Sequence, residues 1–375
     1  MMAEDQKIYE IALTQLPNIG AITVRMLVSY CGSPEAVFQA RKDKLLKIPG
    51  VGEKTAIGIL NGASEALRKA EKIAKQAEDQ HVKVLFYTSP SYPDRLKTVA
   101  DAPVLLYMLG NANLNTRRMI SIVGTRNATD YGRMVTERIV EDIKPYGATI
   151  VSGLAYGIDI FAHRAALQAG LPTIGVMATG ADAVYPAAHK KYAERMITQG
   201  GLLTENPFGT KPDAPRFPAR NRIIAALADS TIVVEGAIKG GALITADIAH
   251  SYDRDVMAVP GNITSIVSEG TNYLIKSNKA AAYTSVQDLV ELLNWDLQDE
   301  AAAKAATKVS AYNPVDFTPD EYKVVELLQQ SKEELIDNLS WKTQIPVNQL
   351  SSVLLGLEFR GIVRQMPGKR FVLVK

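Results

Sequence analysis

Short apolar runs alternate with amphipathic stretches through the middle of the chain. Six runs, at 119–123, 149–152, 173–177, 202–204, 231–234 and 256–259, are apolar at nearly every position. Runs of this kind predict strands covered on both faces, as in a parallel sheet. Helical patterns lie between several of them, at 131–143 and 158–169 among others. The alternation predicts βαβ units and an extended, mostly parallel Rossmann-like α/β domain over residues 81–295.

The flanks have a different rhythm. Residues 1–80 read as helices broken by two similar turns, Leu16-Pro-Asn-Ile-Gly20 and Ile48-Pro-Gly-Val-Gly52, a two-copy repeat. Residues 296–313, rich in Ala, Lys, Asp and Glu, read as a linker. In residues 314–375, Thr318 can cap one helix running to about 330, and Ser331 a second, with Glu334 completing a capping box. Pro346 can open a third, and 371–374 reads as a strand. Three helices and a β-ribbon predict a winged helix.

Composition narrows the function classes. The chain has 375 residues, 42 Lys+Arg and 40 Asp+Glu, a formal net charge of +2. A generally basic nucleic-acid binder is excluded, so any polyanion must be gripped by a local patch. A single cysteine, Cys31, excludes a disulfide framework and a multi-cysteine metal site. No signal-peptide pattern opens the chain and no apolar run reaches membrane-spanning length, so a cytoplasmic protein with no membrane partner is expected. The Gly-x-x-x-x-Gly-Lys-Ser/Thr loop of ATP-driven motors is absent.

In an open parallel sheet ligands bind at the carboxyl ends of the strands, so the residues after each run are the candidate site. They are Gly124-Thr125-Arg126, Ser152-Gly153 through Gly157, Glu235 and Gly240-Gly241. Glycines there allow close approach of backbone to phosphate, and a helix start offers free N–H groups; Ser152-Gly153 ahead of the helix at Ile158 fits that description. Arg126 adds a fork of donors for phosphate oxygens. Asp159 and His163, at i and i+4, can form a metal pair, an acid–base pair, or a structural pair in which Asp159 orients loop amides and His163 bonds backbone. No His or Cys cluster supports metal. Arg220-Asn221-Arg222 places two arginines at a helix start, against the dipole, which calls for a DNA phosphate or for Glu205 or Glu235 nearby. Lys211, Arg216 and Lys239 can extend a basic strip.

These motifs resemble the bacterial DNA-processing protein A family, DprA or Smf. The resemblance rests on Ser152-Gly-Leu-Ala-Tyr-Gly-Ile-Asp-Ile-Phe-Ala-His163, Gly124-Thr-Arg126 with Asp130-Tyr-Gly132, and Phe217-Pro-Ala-Arg-Asn-Arg-Ile-Ile224. It extends through Gly241-Ala-Leu-Ile-Thr-Ala246 and Val259-Pro-Gly-Asn-Ile263. It implies an extended Rossmann fold that binds single-stranded DNA without hydrolysing it and dimerises through that domain. It further implies loading of the RecA recombinase during natural transformation, with no cofactor. It assigns the position of Arg126 to the DNA-contacting loop.

Ile48-Pro-Gly50-Val-Gly52-Glu-Lys54 looks like a helix-hairpin-helix turn, of the SAM-like kind the family carries, whose Gly50 and Gly52 amides and Lys54 can meet a phosphate. With 11 Lys+Arg against 10 Asp+Glu in residues 1–80, charge does not decide between DNA contact and packing. Residues 314–375 balance 8 against 8, and the recognition-helix candidate 347–360 carries only Arg360. That favours a protein-binding role, with Arg364, Lys369 and Arg370 near the wing keeping a DNA role open. The competing functions are a nucleotide-acting enzyme of phosphoribohydrolase type, for which Glu235 and Gly240-Gly241 are a loose match without the full Pro-Gly-Gly-x-Gly-Thr motif, and a non-binding adaptor.

Overall fold

The computed structural model describes residues 2–295, 317–331, 333–366 and 370–374. The expected linker 296–313 and Lys369 lie outside them. The chain forms two compact units, residues 1–295 and 296–375.

The first unit opens with α1 (Met2–Gln15), α2 (Ala21–Cys31), α3 (Pro34–Phe38), α4 (Lys42–Leu45) and the long amphipathic α5 (Glu53–Asp79). The two turns seen as a repeat share one backbone device. In the second, Gly50 takes φ +79 and Gly52 caps α5; in the first, Asn18 takes φ +58 and Gly20 caps α2. Asparagine tolerates the left-handed region better than other side chains, so the first copy keeps its turn without the leading glycine. The bundle shares a core with the sheet edge: Val24, Leu27, Leu45 and Ile59 pack with Phe86, Leu105 and Tyr107. Arg25 adds a polar tie, donating to the Val99 and Ala102 carbonyls at 3.4 and 3.3 Å and lying over the Tyr87 ring.

Nine strands follow: β1 (Lys83–Phe86), β2 (Leu105–Gly110), β3 (Met119–Val123), β4 (Thr149–Ser152), β5 (Thr173–Val176), β6 (Gly201–Thr204), β7 (Ser230–Val233), β8 (Asp255–Ala258) and β9 (Ala281–Ala282). They form one sheet in the order β1-β2-β6-β5-β4-β3-β7-β8-β9. β6 through β9 run parallel, while β1–β2 and β2–β6 pair antiparallel. The sequence pattern predicts β3 to β8 and misses the two antiparallel strands at the edge. Helices α6 (Asp94–Lys97), α7 (Asp130–Ile143), α8 (Ile158–Ala169), α9 (Lys190–Gln199), α10 (Arg216–Leu227), α11 (Gly241–Ser251), α12 (Ile266–Lys276) and α13 (Val286–Leu292) cover the sheet. Alternation along β3 shows the two-sided burial: Met119 and Val123 join the core beneath α10 and α11, and Ile120 and Ile122 join that beneath α7 and α8. The order reverses at β3, so β3 and β7 flank a topological switch point, where a ligand crevice is expected.

The second unit is a winged helix: α14 (Pro319–Ser331), α15 (Ile336–Thr343) and α16 (Val347–Phe359) with β10 (Glu333–Leu335), β11 (Val363–Met366) and β12 (Arg370–Leu373), ordered β10-β12-β11. The α14 cap forms as expected: Thr318 and Glu321 exchange side-chain and backbone hydrogen bonds at 2.8 and 3.3 Å. The box expected at Ser331 and Glu334 does not. Ser331 ends α14 and donates to the Leu327 carbonyl, and residues 333–335 pair with β12 instead of opening a helix. Three ladder pairs override a local capping preference there.

At the amino ends of β3 and β7, away from the crevice, Arg95 grips Asp229 with two bonds of 2.7 and 3.0 Å, and the same carboxylate accepts the Met119 amide at 2.8 Å. This joins α6 to the start of β3. We expect Asp229→Ala to destabilise the protein by roughly 2–4 kcal/mol in chemical denaturation, because it strands both the guanidinium and the amide. Wild-type stability would show the fork to be incidental.

Candidate nucleic-acid interface

The crevice at the switch point is a cleft of about 690 Å³, lined among others by Thr125, Arg126, Phe217, Arg220, Asn221 and Gly240–Gly241. Three loops meet to form it. The Thr125 amide donates to the Glu235 carbonyl at 2.8 Å, and the Thr125 carbonyl accepts the Ile158 amide at 3.2 Å. Gly157, at φ +77, lies so close that a Cβ would fall on the Thr125 carbonyl oxygen and on the Arg126 backbone. Only glycine suits both the backbone and the space.

Arg126 is exposed and stacks over the Phe217 ring, 5.5 Å from its centroid. It forms no ion pair among the described residues. Phe217 is a site residue that sequence reasoning quoted in a motif without giving it a role; an Arg loop and a Phe-Pro start to α10 are its only sequence signal. The other two arginines are committed to structure. Arg220 is 6% exposed, donates to the Val176 carbonyl, and reaches the Asn221 side chain at 3.2 Å. It faces Asp159 across Gly153, where an added Cβ would lie 2.5 Å from the carboxylate and 2.6 Å from the guanidinium. Burial pushes the Asp159 carboxyl up and the Arg220 guanidinium down, and each favours the charged form of the other. Arg222 does not reach the cleft: it pairs with Glu205, so the carboxylate alternative holds for it.

The Asp159 and His163 positions fit the structural alternative. Asp159 accepts the Ala155 amide at 3.3 Å, and His163, fully buried, bridges the Gly153 carbonyl and the Thr173 hydroxyl at 2.7 Å each. Because the carbonyl can only accept, Nε2 carries the proton, and Nδ1 shares the single Thr173 hydroxyl proton with the Ile150 carbonyl, 3.1 Å from that hydroxyl. Burial lowers the His163 pKa to about 4. Among the described residues no cluster of three or more His, Cys, Asp or Glu can hold a metal ion.

Several candidates serve packing and turn geometry. Ser152 is fully buried, donates to the Ile122 carbonyl at 2.6 Å and does not line the cleft; Gly153 and Gly157 are also buried. The start of α8 is closed by the Thr125 carbonyl and Asp159, so it is not the open helix end that the sequence suggested. The open end in the cleft is that of α11, where Gly240 caps without a side chain, the first turn has no acid, and Gly241 is exposed. Glu235 is 2% exposed and accepts from the Thr129 amide and hydroxyl at 3.0 and 2.5 Å, anchoring the N-terminus of α7. Lys211 and Lys239 are exposed on loops beside the cleft without lining it, and Arg216 donates to Asn206 at 3.1 Å. On the helical bundle, Gly52 and Lys54 are exposed, but Glu53 between them pairs with Lys42 at 2.7 Å.

A doubly wound sheet with an arginine, glycine backbone and an open helix end at its switch point places the first unit among Rossmann-type folds. Comparison with known proteins gives the family. The model described as DNA recombination-mediator protein A matches residues 83–294, a SAM-like helix-hairpin-helix tandem matches 10–65, and a DprA winged helix domain matches 300–369. The chain belongs to the DNA recombination-mediator protein A (DprA/Smf) family. It is 30% identical to Protein Smf of Synechocystis sp. over 99% of both chains. It is 38% identical to DNA processing protein DprA of Bacillus subtilis, over 64% of this chain and 80% of that one. The structure of DprA from Streptococcus pneumoniae superposes with a TM-score of 0.65 at 32% identity, covering 76% of this chain and 97% of that one. A Helicobacter pylori relative, described for its single-stranded DNA binding mode, superposes at 0.52 with 29% identity, over 56% and 95%.

Two outcomes follow from the geometry. Gly157→Ala should cost roughly 2–4 kcal/mol in denaturant unfolding, since strain and overlap add; a variant as stable as wild type would refute the close approach. His163 is depressed from 6.5 to about 4 on folding, so its neutral state stabilises the fold above pH 6.5, and that stability drains as pH falls toward 4. His163→Gln should lose about 3 kcal/mol less than wild type between those pH values. Parallel pH–stability curves would exclude a buried neutral histidine.

Proposed function

We propose that this chain is a non-catalytic single-stranded DNA-binding protein that protects incoming DNA and loads the RecA recombinase onto it in natural transformation and recombination. It acts in the cytoplasm as a homodimer. The observation that carries the binding step is Arg126: an exposed, unpaired cation over Phe217, in a cleft whose facing wall is the open end of α11. Single-strand binders combine cations for the backbone with aromatic faces for bases, and this cleft offers both. Family membership and the single-stranded DNA binding of the H. pylori relative support the same ligand. Glu235, the carboxylate on which the phosphoribohydrolase reading rests, is turned to the α7 cap, which favours binding over turnover. No helix among the described residues is long and apolar enough to cross a membrane. Ile263 and Ile266, 90% and 69% exposed, supply apolar surface for a second copy.

Arg126→Ala should weaken binding to an oligothymidylate by about tenfold and flatten its salt dependence by about 0.7 for each phosphate that Arg126 neutralises. Unchanged affinity at physiological salt would remove Arg126 from the site. The full chain should also accelerate RecA filament assembly on strands precoated with a single-strand-binding protein; binding without acceleration would sink the loading role alone.

A further inference from the structure

Four cations on α8 and α9 take no part in the cleft. Lys190, Lys191 and Arg195 are exposed, Arg164 is half-buried, and none forms an ion pair among the described residues. The contrast with α7 is informative. There Arg133 pairs with Glu137 and Arg138 with Asp142, and Lys144 just beyond pairs with Glu141, as a solvated helix face usually does. On α9 two lysines instead occupy the first turn, against the positive end of the helix, and no acid accompanies them there.

This group adjoins the cleft through a line of rings. Tyr156, 52% exposed, shares a slot of about 110 Å³ with Arg126, Tyr185 and Phe217. Its ring meets His189 edge-on at 4.8 Å, and His189 directly precedes Lys190. One turn further along α9, Tyr192 carries the Arg164 guanidinium 5.5 Å above its ring. Cations and aromatic rings therefore alternate outward from Arg126.

We propose that this face of α8 and α9 is a second phosphate-binding segment, which carries single-stranded DNA onward as it leaves the cleft. The proposal rests on the reading of the cleft as a single-stranded DNA site. An acidic protein would match the charge alone, whereas a strand with unstacked bases also uses Tyr156 at the junction.

The test compares fluorescently labelled oligothymidylates of about 6 and about 30 nucleotides, the shorter filling the cleft only. In the full-length chain, Lys190→Ala with Lys191→Ala should weaken the longer strand about tenfold and flatten its salt slope by about 1.4, two phosphates at 0.7 each. The shorter strand should change less than about twofold, which also reports an intact fold, and Lys190→Arg with Lys191→Arg should retain the longer strand. Equal loss at both lengths, or no loss on the longer one, overturns the segment while leaving the cleft reading intact. Wild-type protein that binds neither oligonucleotide overturns both.

Discussion

The close approach of three loops at the switch point governs the site. The Thr125 amide and carbonyl are both spent on backbone partners, Glu235 on one side and Ile158 on the other, and Gly157 presses against the same peptide. The loop after β3 is thereby held from both flanks, by the loop after β7 and by the start of α8. Arg126 is the first side chain after that clamp, so its departure point is fixed while its guanidinium stays free over Phe217. A flexible loop would present the same charge but would lose ordering entropy on every binding event.

Near the clamp, arginines of α10 stand close to carboxylates. Arg220 of α10 stands near Asp159 and Arg222 of the same helix pairs with Glu205; burial raises both carboxyls toward the neutral form, and the arginines oppose that shift. A buried ion pair adds little net stability but is costly to break, so it fixes geometry more than it deepens the fold. Two of the three candidate arginines are thus committed to structure, Arg220 in the cleft wall and Arg222 away from it. A chain of net charge +2 has a positive site only because the cation left over is the one in the opening.

How much of this the sequence discloses depends on how local each cause is. Two-sided burial is written in consecutive residues, so β3 to β8 are legible; β1 and β2 pair antiparallel with a short helix between them, and no βαβ rhythm marks them. The glycine-rich edge is legible as a set, but the job of each glycine is not. Whether a helix start is open depends on what folds against it. The start of α8 is closed by a carbonyl more than thirty positions earlier, at Thr125, and that of α11 is left open by nothing more than the absence of such a neighbour among the described residues. Ser152 misleads for the same reason: its hydroxyl has a tertiary partner, Ile122, that no spacing rule supplies. Asn18 shows the reverse case, a missing glycine whose backbone role survives in another residue.

The winged-helix unit sharpens the charge argument by contrast. Its described cations are nearly all neutralised: Lys323 faces Asp320, Lys342 faces Glu334, Arg360 faces Glu321 and Arg370 faces Glu333, which leaves Arg364. Along the exposed side of α16 stand Val347, Ser351, Leu355 and Phe359, four residues apart in turn, with Phe359 83% exposed. A polyanion binds by exchanging its counterions for protein cations, and this face has none to offer. The same fold that elsewhere reads duplex DNA through a basic helix is therefore divided here by charge from the first unit, where unpaired cations gather beside exposed rings.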